Sequence, residues 1–175
     1  PLAYTTEQIL PDPSAPRRFL EALISAPPNP EHPYNAVFLH ENLIECELPE
    51  RDAFWSIFLH EQGMVEGPVR RLIMWAWSDK DRSSVSDEAL RPWGTTLAWF
   101  LTTPHRFVRD AATKGLVSLF ANRLPLLRQA LETFTEVNDP YVSERLFAAA
   151  YGYAMRASDE GLEELALWVH GEVFE

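Results

Sequence analysis

Apolar residues recur with helical spacing along most of this chain. One stripe follows Pro140, and its members are Val142, Leu146, Ala149, Ala150 and Tyr153. A second stripe follows Pro104 and comprises Val108, Ala111, Ala112, Gly115, Leu116 and Leu119. Residues with this spacing share one face of an α-helix. No segment alternates convincingly between apolar and polar residues, so the pattern predicts an all-α fold with essentially no sheet.

Prolines and capping residues divide the chain into three stretches. Residues 1–34 are a proline-rich segment, residues 35–103 are expected to form the first helical hairpins, and residues 104–175 hold the clearest repeats. Pro92 is expected to interrupt a helix, since a proline inside a helix lacks the amide that the preceding turn needs. Prolines predicted in the first turns of helices are Pro16, Pro49, Pro68, Pro104 and Pro140. The predicted capping residues are Thr5, Ser14, Asp87, Asp139 and Ser158.

The helix starts near residues 104–112 and 139–146 resemble each other. Each has a proline, then an aromatic-Val pair, a charged turn and small residues, and Val108 and Val142 are 34 positions apart. This period is typical of stacked helical hairpins. We therefore interpret residues 1–175 as one helical-repeat domain, with antiparallel hairpins stacked as a HEAT/armadillo-like α-α superhelix. A compact helical bundle is the alternative arrangement.

Composition and charge narrow the possible partners. Hydrophobic residues make up 46% of the 175 residues, and the formal net charge is -11. An acidic chain repels phosphate backbones, so a nucleic-acid partner is disfavoured. The adjacent basic pairs are Arg17-Arg18 and Arg70-Arg71, and we interpret them as solvated helix faces.

The single cysteine, Cys46, excludes an intrachain disulfide and fits a reducing cytosol. No apolar run approaches the length of a membrane span, so we expect a cytoplasmic protein with no membrane partner. The chain begins with Pro1 rather than Met. We expect it to be a piece of a longer polypeptide, although a processed N-terminus would give the same start.

Candidate chemistry is limited to two similar segments. Residues 37–42 and 57–62 each contain a His-Glu pair on a predicted helix. A zinc hydrolase would need a second histidine four positions after the first, and these positions hold Ile44 and Met64. We therefore predict no catalytic, cofactor-binding or metal-binding residue. The simpler interpretation is that both helices pack in the same way, with their His-Glu pairs exposed to solvent.

An interaction surface is the remaining candidate site. Its predicted members are Trp75, Trp77, Arg70, Arg71, Arg109 and Arg145. Both tryptophans are expected to lie in the core, and an exposed one would indicate an interface. Asp110 and Glu144 are expected partners of the last two arginines across a repeat interface.

Several segments carry a resemblance to a known class. Residues 32–36, 49–56, 97–103, 109–114 and 137–142 resemble a helical-repeat region of large bacterial ATP-binding proteins. Those proteins are similar to the signal-transducing NTPases with numerous domains, which include prokaryotic defence proteins. The likeness covers most of residues 30–156. It implies a cytoplasmic sensor or scaffold segment, with any ATP chemistry elsewhere in the parent chain. A phosphate-binding loop is absent from this sequence, so no catalytic residue carries over.

The favoured function is a non-enzymatic scaffold or sensor that binds a protein or sister domains of the same chain. An enzyme is the first alternative, and it would use His40 or His60 with acids such as Glu41, Glu45 or Glu61. A nucleic-acid reader is the second alternative. It would need a positive groove containing Arg70, Arg71, Arg106 and Arg109.

Overall fold

The computed structural model describes residues 15–25, 31–63, 65–157 and 161–174, and these residues form helices and turns without a strand. The α-helices are α1 (Ala15–Ser25), α2 (Ala36–Ile44), α3 (Leu48–Arg51), α4 (Ile57–Gly63), α5 (Pro68–Trp77), α6 (Asp87–Trp99), α7 (Arg106–Leu119), α8 (Leu124–Thr133), α9 (Pro140–Ala154) and α10 (Leu162–Phe174). A π-helical turn (Asp52–Ser56) joins α3 to α4, and a short 3-10 turn (Phe100–Thr102) follows α6. The all-α prediction is confirmed for the described part of the chain. None of the described helices combines the length and apolar character needed to cross a membrane.

Side-chain caps fix several helix starts. Asp139 caps α9 as predicted, because its Oδ1 accepts the backbone N–H of Tyr141 at 3.0 Å. The cap predicted at Asp87 is displaced by one residue, since Ser86 Oγ accepts the N–H of Ala89 at 3.2 Å. The other predicted caps lie outside the described residues, and these are Thr5, Ser14 and Ser158.

Two prolines differ from their predicted roles. Helix α7 begins at Arg106 rather than Pro104, because His105 is extended and its Nδ1 accepts a first-turn N–H at 3.4 Å. Helix α6 runs through Pro92 without a break. A proline there leaves the carbonyl of Glu88 without its helical partner. Glu88 lies in the exposed first turn of α6, so water can satisfy that carbonyl.

The helices pack in two rows of alternating elements. Helix α7 packs between α5 and α9, and α6 packs between α2 and α8. Contacts between α6 and α7 join the rows. A side chain at Gly115 would place its Cβ 3.4 Å from Ala76 Cβ, so the glycine permits the close approach of α7 to α5. Every member of the apolar stripes predicted after Pro104 and Pro140 is buried.

A buried ion pair ties the start of α9 to α3. Arg51 is 0% exposed and Asp139 is 3% exposed, and Arg51 Nη2 lies 3.3 Å from Asp139 Oδ2. Arg51 Nη1 donates to Asn138 Oδ1 at 2.8 Å, and the guanidinium carbon lies 5.4 Å from the ring centroid of Trp99. Burial raises the pKa of Asp139, against the opposing effects of the Tyr141 N–H and the arginine. The Tyr141 N–H and Arg51 together therefore favour the charged form of Asp139.

Removing one charge of this pair should destabilise the fold strongly. Asp139→Asn keeps a capping side chain but leaves Arg51 buried without its anion, and we expect a loss of about 3–5 kcal/mol in the free energy of unfolding. Adding Arg51→Met should recover part of that loss. Urea unfolding of the two single variants and the double variant measures the coupling.

The exposed pair of Arg128 and Glu132 is the matched control, with its atoms 3.0 Å apart on the surface of α8. Arg128→Met with Glu132→Gln should change stability by less than about 1 kcal/mol. A similarly small effect of Asp139→Asn would show that the buried pair does not hold α9 in place.

Candidate functional site

The two tryptophans of the candidate interaction surface, Trp75 and Trp77, lie on different sides of α5. Trp75 is half-buried, and its ring centroid lies 4.6 Å from that of Trp93. Trp77 is 41% exposed, and Lys114 Nζ lies 4.8 Å from its ring centroid. The expectation that both belong to the core is therefore wrong for Trp77. Residues two positions apart on a helix differ by about 200° in direction, so a neighbouring helix on one side of α5 cannot bury both tryptophans.

The predicted arginines separate in the same way. Arg70 shares a concavity with Trp77, while Arg71 shares another with Trp75. Adjacent residues in the sequence thus contribute to two surfaces rather than to one basic patch. Arg70 also pairs with Glu66, with the side-chain atoms 3.0 Å apart.

Arg109 and Arg145 have structural contacts between α7 and α9. Arg145 Nη1 donates to Asp110 Oδ1 at 2.9 Å, which confirms the predicted pairing with this acid. Arg109 Nη1 donates to the carbonyl of Thr103 at 3.2 Å, and its guanidinium lies 5.2 Å from the ring centroid of Tyr141. Both arginines therefore contribute to the packing of one helix on the next.

An apolar groove, here called the Trp77 groove, opens between α5 and α7. Its exposed apolar members are Met74, Trp77 and Phe107, and the buried side chains of Ile73 and Val108 line it from within. Met74 is 52% exposed and Phe107 is 72% exposed. Three large apolar side chains around a concavity of about 250 Å³ are typical of an interaction site.

Met74 and Phe107 were not predicted as members of the interaction surface. The exposure of Phe107 could have been predicted from the sequence. It precedes the buried Val108, and adjacent helical residues point about 100° apart. Tyr141 holds the equivalent position before the buried Val142 and is also exposed. The aromatic residue of each aromatic-Val pair therefore faces outward.

A second concavity, the His40 cavity, lies between α2, α6 and α8 and has a volume of about 270 Å³. Within it, His40 Nδ1 accepts the indole N–H of Trp99 at 3.2 Å. An indole nitrogen can only donate, so Nδ1 carries no proton and the neutral ring carries its proton on Nε2. Burial lowers the pKa of His40, against the opposing charge of Glu41. The prediction of a solvated side chain is therefore wrong for His40.

A third concavity, the Asp52 cleft, has a volume of about 570 Å³ and lies beside the π-helical turn. Asp52, Ser56 and His60 face it from one helical path, opposite Glu144 of α9. Ser56 Oγ donates to Asp52 Oδ1 at 2.6 Å. The only hydroxyl proton of Ser56 is thus donated in a hydrogen bond to the Asp52 carboxylate, so His60 does not activate this serine. His60 instead lies beside His105, with 5.1 Å between the ring centroids.

The acids of the enzyme hypothesis do not converge on the two histidines. Glu41, Glu45 and Glu61 are exposed, and Glu61 lies 3.6 Å from Arg17. Within the described ranges, no group of three or more His, Cys, Asp or Glu residues is placed to hold a metal ion. The arrangement gives no direct support to acid-base chemistry at His40 or His60.

Cys46 is a buried residue, as the sequence predicts. Its Sγ donates weakly to the carbonyl of Asn42 at 3.2 Å. Burial raises the pKa of the thiol, and Glu50 adds to this effect while Arg51 opposes it. A thiol with a raised pKa is a poor nucleophile at neutral pH, so Cys46 belongs to the packing.

The fold defines the class of this chain as an all-α protein in its described part. No protein-family model matches the chain, and neither a curated protein nor a solved structure matches it. The side chains that line the described concavities are therefore the observations that bear on function.

We expect His40 to be the neutral Nε2–H tautomer at pH 7, with a pKa below its ordinary value of 6.5. As the pH falls through 6.5, the unfolded chain takes up a proton at this residue before the folded chain does. Stability should therefore fall with pH until the folded-state pKa of His40 is passed. Nitrogen-proton correlation spectra of the histidine rings measure both the tautomer and the pKa.

His40→Gln removes this titration and serves as the reference variant. Its free energy of unfolding should depend less on pH below 6.5 than that of the unchanged chain. His170→Gln, on the exposed surface of α10, controls for the loss of a histidine. An Nδ1–H tautomer would contradict the bond to Trp99.

Proposed function

We propose that this chain is a non-enzymatic helical scaffold or sensor segment that binds a protein partner through the Trp77 groove. The observation that carries the proposal is the exposure of Met74, Trp77 and Phe107 around one concavity. Solvent-exposed aromatic and methionine side chains at the centre of a concave surface are the usual anchors of protein interfaces. The chemistry of the groove therefore favours binding over conversion.

The groove suits an amphipathic helix as its partner. It runs between two helices, and such grooves accept the apolar face of a third helix. Lys114 lies over the ring of Trp77, and Arg70 lines the groove with a carboxylate partner already in place. An acidic residue next to the apolar anchors of the partner would therefore meet Lys114.

The HEAT/armadillo-like superhelix is part of this proposal. The rows α5–α7–α9 and α2–α6–α8 support it, because alternate helices of a helical-repeat array stack on one another. Phe107 and Tyr141 occupy equivalent places in successive members of the first row. In such an array, each repeat would add one outward aromatic residue to the binding face.

The wider context is proposed on the resemblance to large bacterial ATP-binding proteins. In this proposal the chain is a cytoplasmic segment, its partners include sister domains, and ATP chemistry lies elsewhere in the parent. A nucleic-acid partner is not proposed. Arg70 and Arg71 face different concavities, and Arg109 covers Tyr141.

Selection from a displayed library of amphipathic helical peptides tests the groove. The selected peptides should bind at least tenfold more weakly to Trp77→Ala and to Phe107→Ala, because each change removes an interface anchor. Isothermal titration calorimetry measures the affinities. Neither variant should unfold the protein, since Phe107 is 72% exposed and Trp77 is 41% exposed, so neither side chain is part of the buried core.

Tyr151→Ala is the matched control, because Tyr151 is a 68% exposed aromatic residue on α9 that does not line the groove. It should leave affinity within about twofold of the unchanged chain, as expected for a residue outside the interface. Peptides that lose no affinity in either groove variant would rule out this surface.

The parent protein is tested separately. The full reading frame around this chain should encode a phosphate-binding loop, and changing its lysine to alanine should abolish ATP hydrolysis. Hydrolysis is measured on the full-length protein. A reading frame that begins and ends near residues 1 and 175 would contradict the proposed parent while leaving the groove experiment valid.

A further inference from the structure

The His40 cavity is separate from the Trp77 groove, and the two share no lining residue. Its walls are mostly apolar, and they include Ala36, Val37, Pro92, Phe120, Leu126 and Ala130. Small-molecule sites usually measure about 300–1,000 Å³. A cavity of about 270 Å³ lies just below this range and therefore suits only a small ligand.

Several polar side chains in the cavity are already engaged with the backbone. Asn35 Oδ1 accepts two N–H groups of the first turn of α2, at 3.0 and 3.1 Å. Thr95 Oγ1 donates to the carbonyl of Arg91 at 3.2 Å, and Thr133 Oγ1 donates to that of Gln129 at 2.7 Å. These groups stabilise the walls.

Three donor groups of the described lining have no described partner, and these are the His40 Nε2–H, the Arg91 guanidinium and the side-chain amide of Gln129. His40 commits Nδ1 to Trp99, and none of the hydrogen bonds of the described residues uses its Nε2–H. Arg91 is exposed at the cavity and forms no ion pair with any described carboxylate. Although the chain carries a formal net charge of -11, an arginine without a described carboxylate partner therefore lies beside this apolar cavity.

The charge of the lining is cationic. Among the described residues that line this cavity, Arg91 is the charged one, and none is an aspartate or a glutamate. Burial keeps the pKa of His40 low, so its ring offers a neutral N–H donor rather than a second charge. A complementary ligand needs one negative charge, a hydrogen-bond acceptor and an apolar body.

We propose that the His40 cavity binds a small monocarboxylate with an apolar body. The carboxylate accepts hydrogen bonds from the Arg91 guanidinium and from His40 Nε2–H, and the apolar body lies against Leu126, Ala130 and Phe120. Arginine matches the geometry of a carboxylate with two parallel N–H donors. An amine of the same shape would place its cation beside Arg91 and leave the imidazole N–H without an acceptor.

Hexanoate is the probe, with hexanol and hexylamine as neutral and cationic analogues of the same length. Titration by nitrogen-proton correlation spectroscopy should show saturable shifts at the His40 ring and along α8. Hexanoate should bind at least tenfold more tightly than either analogue, because its contact with arginine is charge-assisted. For so small a ligand, we expect affinity on the order of millimolar.

Two variants distinguish the contribution of the Arg91 charge from that of the cavity volume. Arg91→Gln should weaken hexanoate binding about tenfold and leave hexanol within twofold, because the change removes the charge-assisted contact. Ala130→Phe fills the cavity and should abolish binding of both. Arg128→Gln is the matched control for Arg91→Gln, since Arg128 is an exposed arginine on α8 that does not line the cavity.

Three results would overturn the proposal. Equal affinity for hexanoate and hexanol would reduce the site to an apolar cavity without anion selectivity. An equal loss with Arg91→Gln and Arg128→Gln would trace the effect to the net charge of the surface. The absence of saturable hexanoate shifts at the His40 ring would exclude the site. None of these results bears on the Trp77 groove.

Discussion

The structure depends on the burial of one arginine. Arg51 has no exposed surface, and it meets its anion Asp139, a backbone carbonyl and the face of Trp99 within one set of contacts. The carbonyl of Trp99 in turn accepts the indole N–H of Trp55 at 3.1 Å. A buried charge is tolerated only where such partners are fixed. The relative positions of α3, α6 and α9 are therefore set by polar geometry as well as by apolar packing.

The contacts around Arg51 and Trp99 position the His40 cavity but not the Trp77 groove. Trp99 receives Arg51 on its ring and donates its own indole N–H to His40, so the imidazole orientation follows from the buried ion pair. The groove depends instead on the close contact of α5 and α7 at Gly115 and Ala76. The two proposed binding surfaces thus rest on different parts of the core and can be altered independently.

Sequence reasoning predicted the buried stripes correctly, because helical periodicity depends only on which residues share a face. It failed for Trp77, since two tryptophans on opposite sides of a helix cannot both be buried by one neighbouring row. It also failed for His40, whose hydrogen-bond partner Trp99 lies 59 positions away. Pro92 was misjudged because the carbonyl it leaves open lies in an exposed first turn. Local patterns predict helices, whereas concavities depend on the neighbours that each helix acquires.

Phe107 faces outward and the adjacent Val108 is buried, so substitutions at the two positions are subject to different constraints. Changes at the valine alter the core and are constrained by stability, whereas changes at a largely exposed aromatic residue usually alter stability by less than about 0.5 kcal/mol. Tyr141 and Val142 repeat the arrangement in α9. Evolution can therefore exchange the surface residue of each pair, and with it the partner, while the neighbouring valine preserves the fold.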